Sequence, residues 1–157
     1  MFVKKIICYF CLFLTCSACT DEQKIKKALK GMWSIDTYAP SNDFFFQQTY
    51  CINVFIFKDH NICDLPSLCE NREGKEGKWT LSKEEDAHYI TIDAVKNDIS
   101  GKYRIVFDKD HANNLLKLYL MSDSNTIVCS KFMNFLSEFE RAKIPKSCEL
   151  NSVKVNL

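Results

Sequence analysis

From residue 31 to about residue 132 the chain is written in short runs in which every second position is apolar, broken by polar turns. In His88–Val95, Ile90, Ile92 and Ala94 alternate with Tyr89, Thr91 and Asp93. A period of two puts the apolar set on one face of an extended strand and leaves the other to solvent. The same rhythm sets Trp33 and Ile35 against Ser34 and Asp36. It sets Tyr103, Ile105 and Phe107 against Lys102, Arg104 and Val106, and gathers Leu116, Leu118 and Leu120 on one face. Runs and breaks together predict eight strands, at Met32–Ala39, Thr49–Lys58, Ile62–Leu65, Gly77–Leu81, His88–Val95, Gly101–Phe107, Asn114–Ser122 and Thr126–Phe132. The breaks carry turn residues, as in Pro40-Ser41-Asn42-Asp43, Asp59-His60-Asn61 and Asp123-Ser124-Asn125. The stretch from Pro66 to Glu76 is a longer polar loop.

Two segments change to a helical period. In Asp21–Lys30, Ile25, Ala28 and Leu29 make one narrow apolar face, Thr20 or Asp21 can cap the start, and Gly31 stops the helix. This segment is expected to cap one end of the fold. Met133–Ala142 is expected to be a second helix, with Phe135, Leu136 and Phe139 on one side and Pro145 beyond it. The tail from Lys146 has little periodicity and reads as a loosely packed terminus. Short connections make consecutive strands antiparallel neighbours. A twisted sheet of this size tends to curl, and closing it removes both edges. The expectation is an all-β, eight-stranded antiparallel up-and-down barrel with short N-terminal and C-terminal helices; a sandwich is the alternative.

Residues 1–19 stand apart. Lys4 and Lys5 precede the apolar run Ile6–Leu14, which has the length of a signal-peptide core and is too short to span a bilayer. Thr15-Cys16-Ser17-Ala18-Cys19 then resembles a bacterial lipobox, which implies a leader over residues 1–18 and a lipid on Cys19. Cys16-Ser17-Ala18 also fits the cleavage site of ordinary secretion. The domain plan is a tether and short helix over 19–30, a barrel with its late helix over 31–142, and a tail over 143–157. The whole chain has 21 basic and 20 acidic side chains, so no broad basic field speaks for nucleic acid.

Beyond the leader and Cys19, five cysteines remain: Cys51, Cys63, Cys69, Cys129 and Cys148. An exported domain permits disulfides, with Cys63–Cys69 across a short loop and Cys129–Cys148 across the C-terminal segment as the candidate pairs. The three histidines, His60, His88 and His111, fall at one end under barrel topology. They form a candidate metal rim, weighed against two solvated Asp-His turns, and no metal or other cofactor is expected. No catalytic triad, His-Glu-x-x-His or phosphate-cradling loop is present in the sequence. The weakest reading is an enzyme that uses His88 or a free cysteine.

Gly31-Met32-Trp33 at the start of the first strand, the short helix before it, eight strands and a late helix resemble the lipocalin (calycin) plan. With the lipobox-like leader and the runs Cys63-Asp64-Leu65-Pro66, Gly77-Lys78-Trp79 and Gly101-Lys102-Tyr103, the chain looks most like small lipocalin-like lipoproteins of Bacteroidetes-type bacteria. The resemblance covers roughly residues 25–140. It implies a cation packed on Trp33, with Arg141 and Lys131 as the candidates, and a lid in the loop after the first strand. That loop holds Phe44, Phe45 and Phe46. Three consecutive aromatics cannot all face inward from a strand, and Tyr38 and Tyr50 flank them.

The functional expectation is a non-catalytic protein, tethered to a membrane of the cell envelope through Cys19. Its mouth, with Tyr38, Phe44, Phe45, Phe46 and Tyr50, would take a small apolar or amphipathic ligand. The rival is a barrel filled by its own side chains that contacts an envelope protein.

Overall fold

The computed structural model describes residues 20–40, 54–66, 76–95, 97–133 and 144–150. The chain enters through helix α1 (Asp21–Leu29), whose Ile25 and Leu29 are fully buried. Eight strands follow: β1 (Gly31–Pro40), β2 (Val54–Phe57), β3 (Ile62–Asp64), β4 (Glu76–Glu84), β5 (Ala87–Asp93), β6 (Gly101–Asp110), β7 (Leu115–Met121) and β8 (Asn125–Phe132). They form a closed antiparallel barrel in which each strand pairs with its neighbours in the chain, and β8 pairs back onto β1. No helix among the described residues is long and apolar enough to cross a membrane.

The register explains the core. Trp33 pairs with Phe55, Phe57 with Cys63, Trp79 with Ile92, Ile90 with Tyr103, Phe107 with Leu118, and Leu120 with Ile127. All of these are buried, so the alternate residues of successive strands line one continuous interior. Trp33 of β1 reaches Phe107 of β6, their ring centroids 6.2 Å apart, and Phe57 meets Trp79 edge-on at 5.7 Å. Near α1 the interior is therefore filled by side chains from non-neighbouring strands.

One irregularity in β1 decides which side chains face inward. The register against β8 shifts between Ile35 and Thr37, where Asp36 is the extra residue of a bulge. Ile35 pairs with Cys129, and Tyr38 then pairs with Ile127. Strict alternation from Trp33 would send Tyr38 outward. The bulge returns it to the inner face, where it packs partly buried against the core. The Asp36 carboxylate accepts a 2.8 Å hydrogen bond from the Ser130 hydroxyl, which holds the bulge against β8.

Several expectations need correction. The tail from Lys146 is not loose as far as Leu150: Lys146–Cys148 form a 3-10 turn, and Cys148 is fully buried. The cause lies in unequal strand lengths. The β5–β6 pairing extends only to Tyr89–Arg104, while β6 runs on to Asp110. That leaves an unpaired β6 edge, and residue 149 docks on it through a parallel bridge to Phe107. The candidate disulfides are not formed, since Cys63, Cys129 and Cys148 are all free thiols. Cys63 lies on the inner face of β3, with its thiol 3.6 Å from the Gly77 carbonyl. Cys129 lies on the inner face of β8, while Cys148 packs against His88 of β5. The expected second helix and the first part of the second strand lie mainly or wholly outside the described residues, as do Cys19, Cys51 and Cys69.

Candidate functional site

The two barrel ends differ in construction. At the α1 end, Trp33 is fully buried, and its indole N–H donates a 2.6 Å hydrogen bond to the Leu29 carbonyl at the end of α1. Lys131, paired with Leu116 on the inner face of β8, holds its ammonium 4.7 Å from the Trp33 ring centroid. The same ammonium donates to the carbonyls of Ala28 and Lys30 at 3.0 and 2.8 Å. It thus satisfies carbonyls that the last helical turn leaves unpaired, at the negative end of the helix dipole. Gly31, at φ 109°, lets the chain turn directly from helix into strand. Lys30 adds a paired contact to Asp59 at 2.8 and 2.9 Å beside the β2–β3 turn. Of the two cations expected near Trp33, Lys131 occupies the place; Arg141 lies outside the described residues.

At the opposite end the inner wall is made by Tyr38, Ile92, Tyr103, Leu120 and Ile127. Tyr103 is almost fully buried, and its hydroxyl donates a 2.9 Å bond to the Ile99 carbonyl. Ile99, in the β5–β6 loop, is itself fully buried, tucked against the core. The loop is closed by Ser100, whose hydroxyl donates to the Ala94 carbonyl at 2.7 Å and accepts from the Ala94 N–H at 3.1 Å. Burial pushes both phenols upward from the ordinary tyrosine range, so both are neutral hydrogen-bonding groups in an apolar wall. Such a rim can orient the polar end of an amphipathic molecule. Tyr38 is the one expected mouth residue among those described; Phe44, Phe45, Phe46 and Tyr50 lie outside them. Neither Tyr103 nor Ile99 is legible as a rim residue in the sequence: alternation alone marks Tyr103 as core, and nothing in Asn97–Ser100 marks Ile99 as inward.

The histidines do not converge. His60 and His111 are exposed, while His88 is only 4% exposed on the inner side of β5. No group of three or more potential metal ligands occurs among the described residues. His88 Nδ1 lies 3.5 Å from the Cys148 sulfur and 3.3 Å from the Ser147 hydroxyl. A thiol beside an imidazole is the pairing of cysteine nucleophiles, but such a nucleophile needs a lowered pKa and access. Burial instead pushes the Cys148 thiol up to about 11 and the Cys63 thiol up to about 12, and it raises Cys129 further. A cleft of about 290 Å³ lies outside the barrel between the end of β6 and the C-terminal segment, lined by Phe107, Lys109, His111, Ile144 and Glu149 among others.

No protein-family model matches the chain, and neither a curated protein nor a solved structure aligns with it.

Proposed function

We propose that the protein is a lipocalin-like, non-catalytic binding protein, tethered to a cell-envelope membrane by lipid on Cys19, that receives a small apolar or amphipathic molecule at the barrel end opposite α1. The observation that carries this reading is the asymmetry of the ends. One is sealed by α1, Trp33 and Lys131, and the other has a partly buried neutral phenol, Tyr38, in an apolar wall backed by buried Tyr103. The Lys131 ammonium on Trp33 also supports the lipocalin likeness, because that likeness calls for a cation there. Small-molecule sites favour concave, mostly apolar walls with a few placed polar groups, and barrel mouths provide them.

Native mass spectrometry of the chain purified from an exporting host tests it. A bound mass that leaves on denaturation, or binding of fatty-acid probes weakened by Tyr38→Ala, supports the pocket. A bare mass and no probe binding refute it. A second reading is favoured by Ile99 in the mouth and by the Trp33–Phe107 contact across the interior. In that reading the barrel is filled and the outer loops contact an envelope protein. The bare mass would then be accompanied by capture of such a partner through crosslinking in intact cells.

A further inference from the structure

We propose that residues 144–150 form an acid-released clasp on the α1 end of the barrel, with His88 as its catch. The segment is held in two ways. Its backbone bridges the free edge of β6 at Phe107, and its 3-10 turn presents Ser147 and Cys148 to one ring nitrogen of His88. Pro145 and Cys148 are buried in the same contact, and Cys148 belongs to the barrel core. The segment therefore completes a wall that β5, too short to follow β6 to its end, leaves open.

With Nδ1 unprotonated, the ring accepts a hydrogen bond from the strap's hydroxyl or thiol. A proton on Nδ1 turns the ring nitrogen into a donor, which the Ser147 hydroxyl can still meet but the Cys148 sulfur accepts only weakly, and it puts a positive charge into a site that is 4% exposed. Charged groups of β4 and α1 act on the ring. From β4, Lys83 stands directly opposite His88 in the register and opposes a second positive charge. From α1, Asp21 and Glu22 favour the charge, and Asp21 is itself bonded to Lys24 at 2.9 Å. Arg104 of β6 acts on Cys148. Burial, with Lys83, outweighs the two carboxylates and lowers the His88 pKa; Lys83, Asp21 and Glu22 stay beside the ring when the strap leaves, so the part of the shift that the strap controls is the burial it adds.

The sign follows. Because the docked strap adds burial to the ring, His88 binds fewer protons when the clasp is closed than when it is open. The closing contribution is complete above the ordinary histidine value of about 6.5 and is lost as pH falls below it. In that window the open fraction rises by up to about tenfold per pH unit. Strap opening, rather than unfolding, is the outcome because the strap's contacts with His88 and Phe107 are local, whereas the eight strands stay paired in an unbroken ring without it.

The test is peptide-resolved labelling of the full chain with a pyridyl disulfide, which reacts with thiols in acid, between pH 7.5 and 4.5, normalised to the denatured chain. The expected result is a Cys148 rate that climbs by several-fold or more below about pH 6.5 while Cys129 and Cys63 stay protected. In His88→Gln the climb disappears; if that variant does not fold, Ser147→Ala, which keeps the catch, retains the climb from a higher starting rate. A flat Cys148 rate, a climb that persists in His88→Gln, or Cys129 rising in step with Cys148 overturns the clasp.

Discussion

Lys131→Met isolates the seal at the α1 end, because methionine keeps most of the stem packing and removes only the ammonium. That ammonium holds the carbonyls of Ala28 and Lys30 at 3.0 and 2.8 Å and sits 4.7 Å from the Trp33 ring centre. Hydrogen bonds to a charged group contribute roughly 1.5–3 kcal/mol each, a cation at a helix C-terminus about 0.3–1, and a partly desolvated cation–π contact about 1–2. The contributions overlap, since one group makes them all, and the helix-end carbonyls regain water when it leaves. The expected loss is about 2–3 kcal/mol. Lys102→Met is the matched comparison. Lys102 also sits over an aromatic ring, 4.8 Å from the Tyr89 centroid, and pairs with Glu84, but both pair members are exposed. Its loss is expected at about 0.5 kcal/mol or less. Urea unfolding with a common m-value measures both, and hydrogen exchange at the Lys30 N–H, bonded to the Lys26 carbonyl, reports whether the end of α1 frays. If the two variants fall within about 0.5 kcal/mol of each other, the seal argument fails.

Gly31→Ala is expected to cost about 1–2 kcal/mol in the same assay through backbone strain at φ 109°, since the added Cβ would meet only the Lys131 ammonium at an ordinary 3.8 Å. Deleting Asp36 restores regular alternation and keeps Tyr38 inward, so its melting temperature is expected to fall far less than that of a Ser34 deletion, which turns Trp33 or Ile35 outward. Native Cys63 and Cys129 are expected to resist thiol reagents at pH 8 and to react once urea unfolds the chain, consistent with burial holding Cys63 up near 12; fast native labelling of either would contradict the inward placement. Under the pocket reading, Ile99→Ala is expected to tighten binding of apolar probes by severalfold, measured by fluorescence titration, because it clears the mouth; unchanged binding would remove Ile99 from the ligand path.

The strands were legible where alternation is clean and both neighbours are long. Ile90/Ile92, Tyr103/Ile105/Phe107 and Leu116/Leu118/Leu120 each gave a face and its burial. Strand ends were less so: β6 continues through Asp108–Asp110, polar residues that read as turn but pair with Leu115–Lys117. The bulge was hidden because one extra residue leaves no compositional mark, although apolar residues at 33, 35 and 38 carried the shift. The strap is not legible in the sequence because its burial depends on a gap between β5 and β6 being filled by a segment far along the chain, a relation that local periodicity does not encode. The disulfides failed for a related reason: spacing brings cysteines near in sequence, while the strand face decides where each thiol points.

The seam between β1 and β8 sets the order of events in folding. Every other strand pairing joins chain neighbours, but the seam joins Asp36 to Ser130, 94 residues apart. Pairings of high sequence separation incur their loop-closure entropy before they return contacts, so the curled sheet can grow strand by strand and shut only when β8 arrives. Until then the newborn chain carries β1 as an unsatisfied border, open to invasion by any passing strand. A bulge interrupts the hydrogen-bonding row along that border and makes it a poor template for a flat partner. The hydrogen bond from the Ser130 hydroxyl to the Asp36 carboxylate, 94 residues apart in the chain, forms only with that last join.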